Sequence, residues 1–234
     1  MSTTKTINLK KRPVGKPELN DFEFKTNEVS ELKEGEVLLK TEYVSVDPYL
    51  RGRMSDAPSY IPPFELNKPI VSGIIAEVVE SKNSNFSKGD HVSGMLAWKE
   101  IQVAKGDDLL KVDPDKADLS AYLGILGMTG LTAYLELLKE KFDFDEGINY
   151  NTTTNMSEAI AKACPDGVDV YFDNVGGDIS EAVLFNINKF SRTINCGAIS
   201  VYNNTELPKS ISVQPFLVKK SSSMQGFVVF DYVD

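Results

Sequence analysis

Few residues in this 234-residue chain pair a reactive side chain with a spacing that chemistry could use. There is one histidine, His91, and there are two cysteines, Cys164 and Cys196, far apart and with no Cys-x-x-Cys. A zinc site with several His and Cys ligands cannot be assembled from that set. A Ser-His-Asp hydrolase would have to recruit His91 from the turn-like stretch KGDHVSG, and no G-x-S-x-G elbow accompanies it. More informative is VDVYFDNVGG, an apolar run closed by Asp173, Asn174, Val175, Gly176 and Gly177. Small residues after a strand let a backbone approach a ligand closely, although the same string also reads as a plain strand-to-helix turn. CGAISVYN (Cys196 to Asn203) and FVVF (Phe227 to Phe230) close two further apolar runs. Open parallel sheets hold ligands beyond the carboxyl ends of their strands, so a site belongs at these three segments.

The elements that would position them fall into two halves. Up to about residue 118 the chain reads as short strands and turns, with EVLLKTEYVSVD and PIVSGIIAEVVE as the clearest strands and Pro62-Pro63, Gly89-Asp90 and Gly106-Asp107 as turns. After Pro114 the pattern changes. DLSAYLGILGMTGLTAYLELLKEKF carries helical spacing, Ser157 to Ala163 suits a short helix, and VDVYFDNVGG suits a strand. DISEAVLFNINKF reads as a helix that Asp178 caps, while SRTINCGAISVY and MQGFVVFDY read as strands. Alternating strands and helices predict a parallel α/β sheet. Two domains follow, 1–120 and 121–234, with the boundary near Pro114 to Tyr122.

Composition narrows the function classes. Hydrophobic residues at 41% and charged residues at 25% match a globular chain, not a disordered or disulfide-framework one. The 25 Lys and Arg against 34 Asp and Glu give a net charge of -9, the wrong sign for a nucleic-acid binder. No run of eighteen apolar residues and no apolar leader is present, so the expected setting is the cytoplasm, where free thiols also belong. None of the 16 glycines stands at i and i+2, so there is no G-x-G-x-x-G fingerprint, nor is there a P-loop. Gly124, Gly127 and Gly130 read as a closely packed helix entry, because no strand precedes them.

KRPVGKP (Lys11 to Pro17), VSVDPYLRGRM (Val44 to Met54), ILGMTGLTAY (Ile125 to Tyr134), DVYFDNVGG and CGAISVYN together resemble the zinc-independent medium-chain dehydrogenase/reductases. The similar branch is that of leukotriene B4 12-hydroxydehydrogenase, or prostaglandin reductase, with the 2-alkenal reductases. The resemblance implies a β-rich GroES-like catalytic domain, a Rossmann domain that binds NADP(H), no metal, and often a homodimer. It implies reduction of the carbon-carbon double bond of an α,β-unsaturated aldehyde or ketone.

Carried over residue by residue, the resemblance makes Tyr202 the catalytic candidate, its phenol supporting the enolate or organising the nucleotide ribose, with a surface tyrosine at a strand end as the alternative. It makes Asn174 and the loop Cys196, Gly197, Ala198, Ile199, Ser200 and Val201 cofactor-contacting, with Phe227, Val228 and Val229 on a later lining strand. Tyr150 corresponds to a tyrosine near the adenosine 2′-phosphate, Met128 and Thr132 to a helix beside the cofactor, and Tyr49 and Arg51 to a loop near the substrate cleft. For Met128 and Thr132 core packing is the alternative; for Tyr49 and Arg51 it is a structural hydrogen-bonding role.

The chain also departs from that pattern. Only Lys139 to Gly147 separate Leu138 from Ile148, whereas a βαβ unit takes about 30 residues or more. The first unit of the nucleotide domain and its phosphate-binding glycine loop are therefore expected to be absent, making the Rossmann domain incomplete. With the end at DYVD, the GroES-like domain is expected to lack its closing return, and marginal stability is the expectation. The alternative function is that of a truncated, inactive family member that serves to pair with a full-length paralogue.

Overall fold

A computed structural model of the chain describes residues 3–57, 59, 61–127, 145–228 and 231. The chain divides into two compact units, Met1–Tyr134 and Leu135–Asp234.

In the first unit, strand β1 (Thr3–Leu9) pairs antiparallel with β2 (Phe22–Glu28) in a two-stranded ribbon. A five-stranded antiparallel sheet follows: β3 (Glu36–Val44), β4 (Val71–Ser81), β5 (His91–Ala97), β6 (Ile101–Lys105) and β7 (Leu110–Val112), in the order β6-β3-β4-β5-β7. The two β-branched runs singled out in the sequence are thus its central pair, β3 and β4. Period-two alternation sends Val37 and Leu39 to the same core as Ile74, Ala76, Val78 and Val92. A second cluster of Leu9, Leu50, Met54, Phe64 and Ile70 seats the short helix α1 (Tyr49–Arg53), which grows from the VDPYLRGRM motif. Trp98 packs against both clusters and donates its indole N–H to Ser72 Oγ at 2.8 Å.

The second unit holds α2 (Met156–Ala163), β8 (Val168–Asp173), α3 (Gly177–Leu184), β9 (Ile187–Asn195), α4 (Gln214–Lys220) and β10 (Ser223–Gly226). The strands form a parallel sheet in the order β10-β9-β8, as the strand-helix alternation predicts. Ile160, Ala182, Val183, Leu184 and Ile187 make the core against which Val168, Phe216 and Met224 pack.

Several boundaries differ from those expected. The helix read as DISEAVLFNINKF stops at Leu184, because Asn186 turns its amide back onto the Ala182 and Ser157 carbonyls and INKF enters β9. Asp178 lies in the first turn of α3, whose cap position is Gly176. The strand read as SRTINCGAISVY begins earlier, at Ile187, and ends at Asn195; CGAISVY is a loop with one 3-10 turn. The strand read as MQGFVVFDY is β10, which begins at Ser223 and ends at Gly226, so that Phe227 and Val228 lie beyond it; helix α4 was not anticipated. Its proline lies in the first turn, where a missing N–H costs nothing. Leu119–Leu123 is a 3-10 turn pinned by a hydrogen bond from the Tyr122 hydroxyl to the Asp113 carbonyl; Gly130 and the helix expected over LTAYLELLKEKF lie outside the described residues. Among the described residues no helix is long and apolar enough to cross a membrane.

Candidate functional site

The site begins with Asp173, the last residue of β8. Its side chain is only 4% exposed, yet it carries a full set of donors. Oδ1 accepts the backbone N–H groups of Val175 (2.9 Å) and Gly176 (2.8 Å) and the hydroxyl of Tyr171 (2.9 Å), and Oδ2 accepts the hydroxyl of Ser180 on α3. This is the side-chain-to-backbone turn that Asp favours, here buried and completed by two hydroxyls. The chain can close it only because Gly176 and Gly177 take φ of 71° and 59°, where a Cβ would be strained.

The loop after β9 is sewn onto that turn. Cys196 and Gly197 both donate backbone N–H to the Asp173 carbonyl, at 2.8 and 3.0 Å, and Ile199 donates to Asn174 at 3.2 Å. Ser200 gives both its N–H (3.0 Å) and its hydroxyl (2.6 Å) to the Val175 carbonyl. A Cβ on Gly197 would stand 2.9 Å from the Asn174 carbonyl oxygen, so the two backbones meet as closely as glycine permits. The third strand end joins through Phe227, whose N–H donates to the Asn195 carbonyl at 2.9 Å and whose ring meets Phe172 edge-on at 5.8 Å. Tyr202 closes the 3-10 turn Ile199–Val201, and its phenol oxygen accepts the Ala198 N–H at 3.2 Å. A phenol that accepts one hydrogen bond still has its own hydrogen to donate.

The structure thus brings together Asn174, the loop Cys196 to Val201, Tyr202 and Phe227 at the carboxyl ends of three parallel strands, with Val228 next in the chain. Tyr150 stands apart on the turn that precedes α2, 63% exposed. Met128, Thr132 and Val229 lie outside the described residues. Tyr49 and Arg51 belong to the first unit. There the Arg51 guanidinium donates to the carbonyls of Gly15 (2.9 and 3.2 Å) and Pro13 (3.4 Å), fastening α1 to the KRPVGKP segment. His91 opens β5 instead of lying in a turn, with Nε2 3.4 Å from Glu42 Oε2. The organising residues are Asp173, which the motif reading took only as part of its turn, and Ser180, which it passed over. The available signal was an acid ending an apolar strand, with glycine three residues on and serine seven on.

With this geometry in view, the comparisons with known proteins place the chain. A family described as the N-terminal domain of oxidoreductase matches residues 5–112, and one described as zinc-binding dehydrogenase matches residues 122–233. YfmJ of Bacillus subtilis is 44% identical over 278 residues, covering 97% of this chain and 82% of that protein. Prostaglandin reductase 1 of Bos taurus is 35% identical over 281 residues, covering 98% and 83%. The crystal structure of CurA from Vibrio vulnificus in complex with NADPH superposes with a TM-score of 0.86 at 31% identity, covering 97% of this chain and 82% of that one. The chain belongs to the medium-chain dehydrogenase/reductases. Within them it is a member of the zinc-independent branch that holds the prostaglandin reductases and 2-alkenal reductases.

The same comparisons expose an internal gap. The alignment with YfmJ spans 278 residues but uses 97% of 234, about 227, leaving roughly fifty positions without a counterpart, more than a whole βαβ unit of about 30 residues. Tested against a nicotinamide dinucleotide, the described residues fit one end only. The sewn loops offer a close backbone approach and a phenol, as a nicotinamide and its ribose would need. The diphosphate does not fit, because the chain has no glycine pair at i and i+2 and the β8–α3 turn already surrounds its own carboxylate.

Proposed function

We propose that this chain reduces the carbon-carbon double bond of an α,β-unsaturated aldehyde or ketone, with NADP(H) as its nucleotide and without a metal. The observation that carries this reading is the joining of the Asp173–Gly177 turn to the Cys196–Tyr202 loop by five backbone-directed hydrogen bonds, in a chain whose relatives are named NADP-dependent 2-alkenal reductase and NADPH-dependent curcumin reductase. When bound, the nucleotide supplies hydride. Tyr202 provides the donor: its hydroxyl hydrogen meets the charge that develops on the carbonyl oxygen, while the Ala198 N–H holds the phenol oxygen in place. Asn174 and the loop Cys196 to Val201 orient the ligand, with Phe227 and Val228 on the adjoining strand end. Two free cysteines suit a reducing, cytoplasmic setting, and a homodimer is the assembly.

The test is NADPH oxidation by the purified chain with short 2-alkenals and enones. Tyr202→Phe is expected to lower kcat about a hundredfold, the scale of one lost oxyanion donor. Absence of turnover in a folded sample, with no saturable NADPH binding, would refute the reading. The internal gap favours a second one, a non-catalytic member that pairs with a full-length paralogue. It predicts no turnover alone and a mixed dimer on co-expression.

A further inference from the structure

We infer that the second unit recognises the uncharged nicotinamide–ribose end of a nicotinamide nucleotide and offers, among its described residues, no partner to the diphosphate or the 2′-phosphate, so that NADPH, NADH and the bare dihydronicotinamide riboside bind alike. This rests on the nucleotide reading above and sharpens what the site selects.

Phosphate binding at a strand end needs successive backbone N–H groups pointing at an anion, usually helped by a cation. The turn between β8 and α3 has that form, with two N–H groups converging and glycines in the left-handed region. The anion it holds, however, is internal. Asp173, at 4% exposure, takes both N–H groups together with the Tyr171 and Ser180 hydroxyls. A phosphate placed there would compete for donors already engaged and meet a buried carboxylate of its own sign.

Charge points the same way. The segments 173–177, 195–206 and 226–228, which meet at the three strand ends, contain no lysine and no arginine. What they do offer suits a neutral, planar, hydrogen-bonding group: the close backbone approach at Gly197, the Tyr202 phenol and the Phe172–Phe227 pair. Tyr150, which corresponds to a 2′-phosphate neighbour, brings no positive charge and stands 63% exposed.

The experiment titrates the purified full chain, shown to be folded by circular dichroism, with NADPH, NADH and dihydronicotinamide riboside. Binding is read by nicotinamide fluorescence and by melting-temperature shift, with 2′-phospho-ADP as competitor. The expected result is dissociation constants within about threefold of one another, no displacement by 2′-phospho-ADP, and affinity indifferent to salt between roughly 50 and 500 mM, because no ion pair is screened. NADPH binding about tenfold or more tighter than the riboside, or displacement by 2′-phospho-ADP, would overturn this inference and leave the nucleotide reading intact. No binding of any of the three would overturn both.

Discussion

The two units differ in how completely the centres of their apolar cores are closed. In the first, the bulkiest fully buried side chains are aliphatic and concentrated about β3, β4 and β5: Leu39, Ile74, Ile75, Val78 and Val92 have no exposed surface. In the second, the core cluster retains between 2% and 7% exposure, while buried polar residues occur in both units, among them Thr6, Asn8, Asp21 and Ser72 in the first and Asp173, Ser191 and Thr193 in the second. Close packing fixes an antiparallel sheet as a whole, because each side chain touches many others. Hydrogen bonds fix a strand end locally, one donor at a time. The loops that resemble a nucleotide site are of this second kind, so their geometry can be lost without loss of the surrounding sheet.

The strongest way to sharpen the contrast is to remove core methyl groups on both sides. Ile74→Ala is expected to cost about 3–4 kcal/mol and Val183→Ala about 2 kcal/mol, by the transfer and cavity costs of large-to-small substitution. Urea unfolding followed by Trp98 fluorescence, which reports the first unit, and by amide exchange in α3 measures the two; equal costs would erase the distinction. Next in size, Asp173→Ala strips the acceptor from the Val175 and Gly176 N–H groups and is expected to cost about 2 kcal/mol. Exchange of those two amides should accelerate while β4 amides stay protected. Acceleration across both units would instead make the turn a global support.

The smallest expected effect is on acid stability of the first unit. The Glu18 N–H and then the Lys11 ammonium hold the Asp21 carboxyl below its usual range, and Lys111 with the Ser87 N–H does the same for Asp90. A depressed folded pKa gives stability that is present above the unfolded value of about 3.9 and lost as pH falls through the lower folded value. Melting between pH 5 and 2 should therefore show a decline beginning near pH 4, shallower in Asp21→Asn and Asp90→Asn. An unchanged slope in both variants would remove these carboxylates from the account.

Much of this architecture is legible in the residues. The β-branched runs at 36–47 and 69–80 became β3 and β4, and the strand ending at Asp173 with its glycine turn came out as read. What the pattern misplaced depends on contacts between distant residues. The β-branched residues of CGAISVY suit a strand, but their backbone donors turn to carbonyls at 173–175, more than twenty residues earlier. Phe190, at φ 66°, takes a left-handed conformation that no local preference foretells, and it lies where helix had been read. Asp173 looked like one polar residue among five in a turn, since its burial depends on Tyr171 and Ser180 closing over it.

The first strand carries a consequence for how the chain is made. One edge of β1 pairs with β2 nearby, but its other edge waits for much later residues: Leu9 N–H donates to Lys68, Ile7 N–H to Trp98, and the Glu100 N–H donates back to Lys5. Thr4 Oγ1 accepts from the Ile101 N–H across 97 positions of sequence. Pairings of such separation are the slow ones, since a long loop must close before any contact rewards it. On the ribosome the β1–β2 ribbon therefore emerges before its later partners and stands with one edge bare until some seventy further residues have been synthesised, at a rate of about 5–20 per second. For those seconds the first strand is an open edge of the kind chaperones cover, and the pairing of that edge is timed by translation of the segment from Trp98 to Ile101.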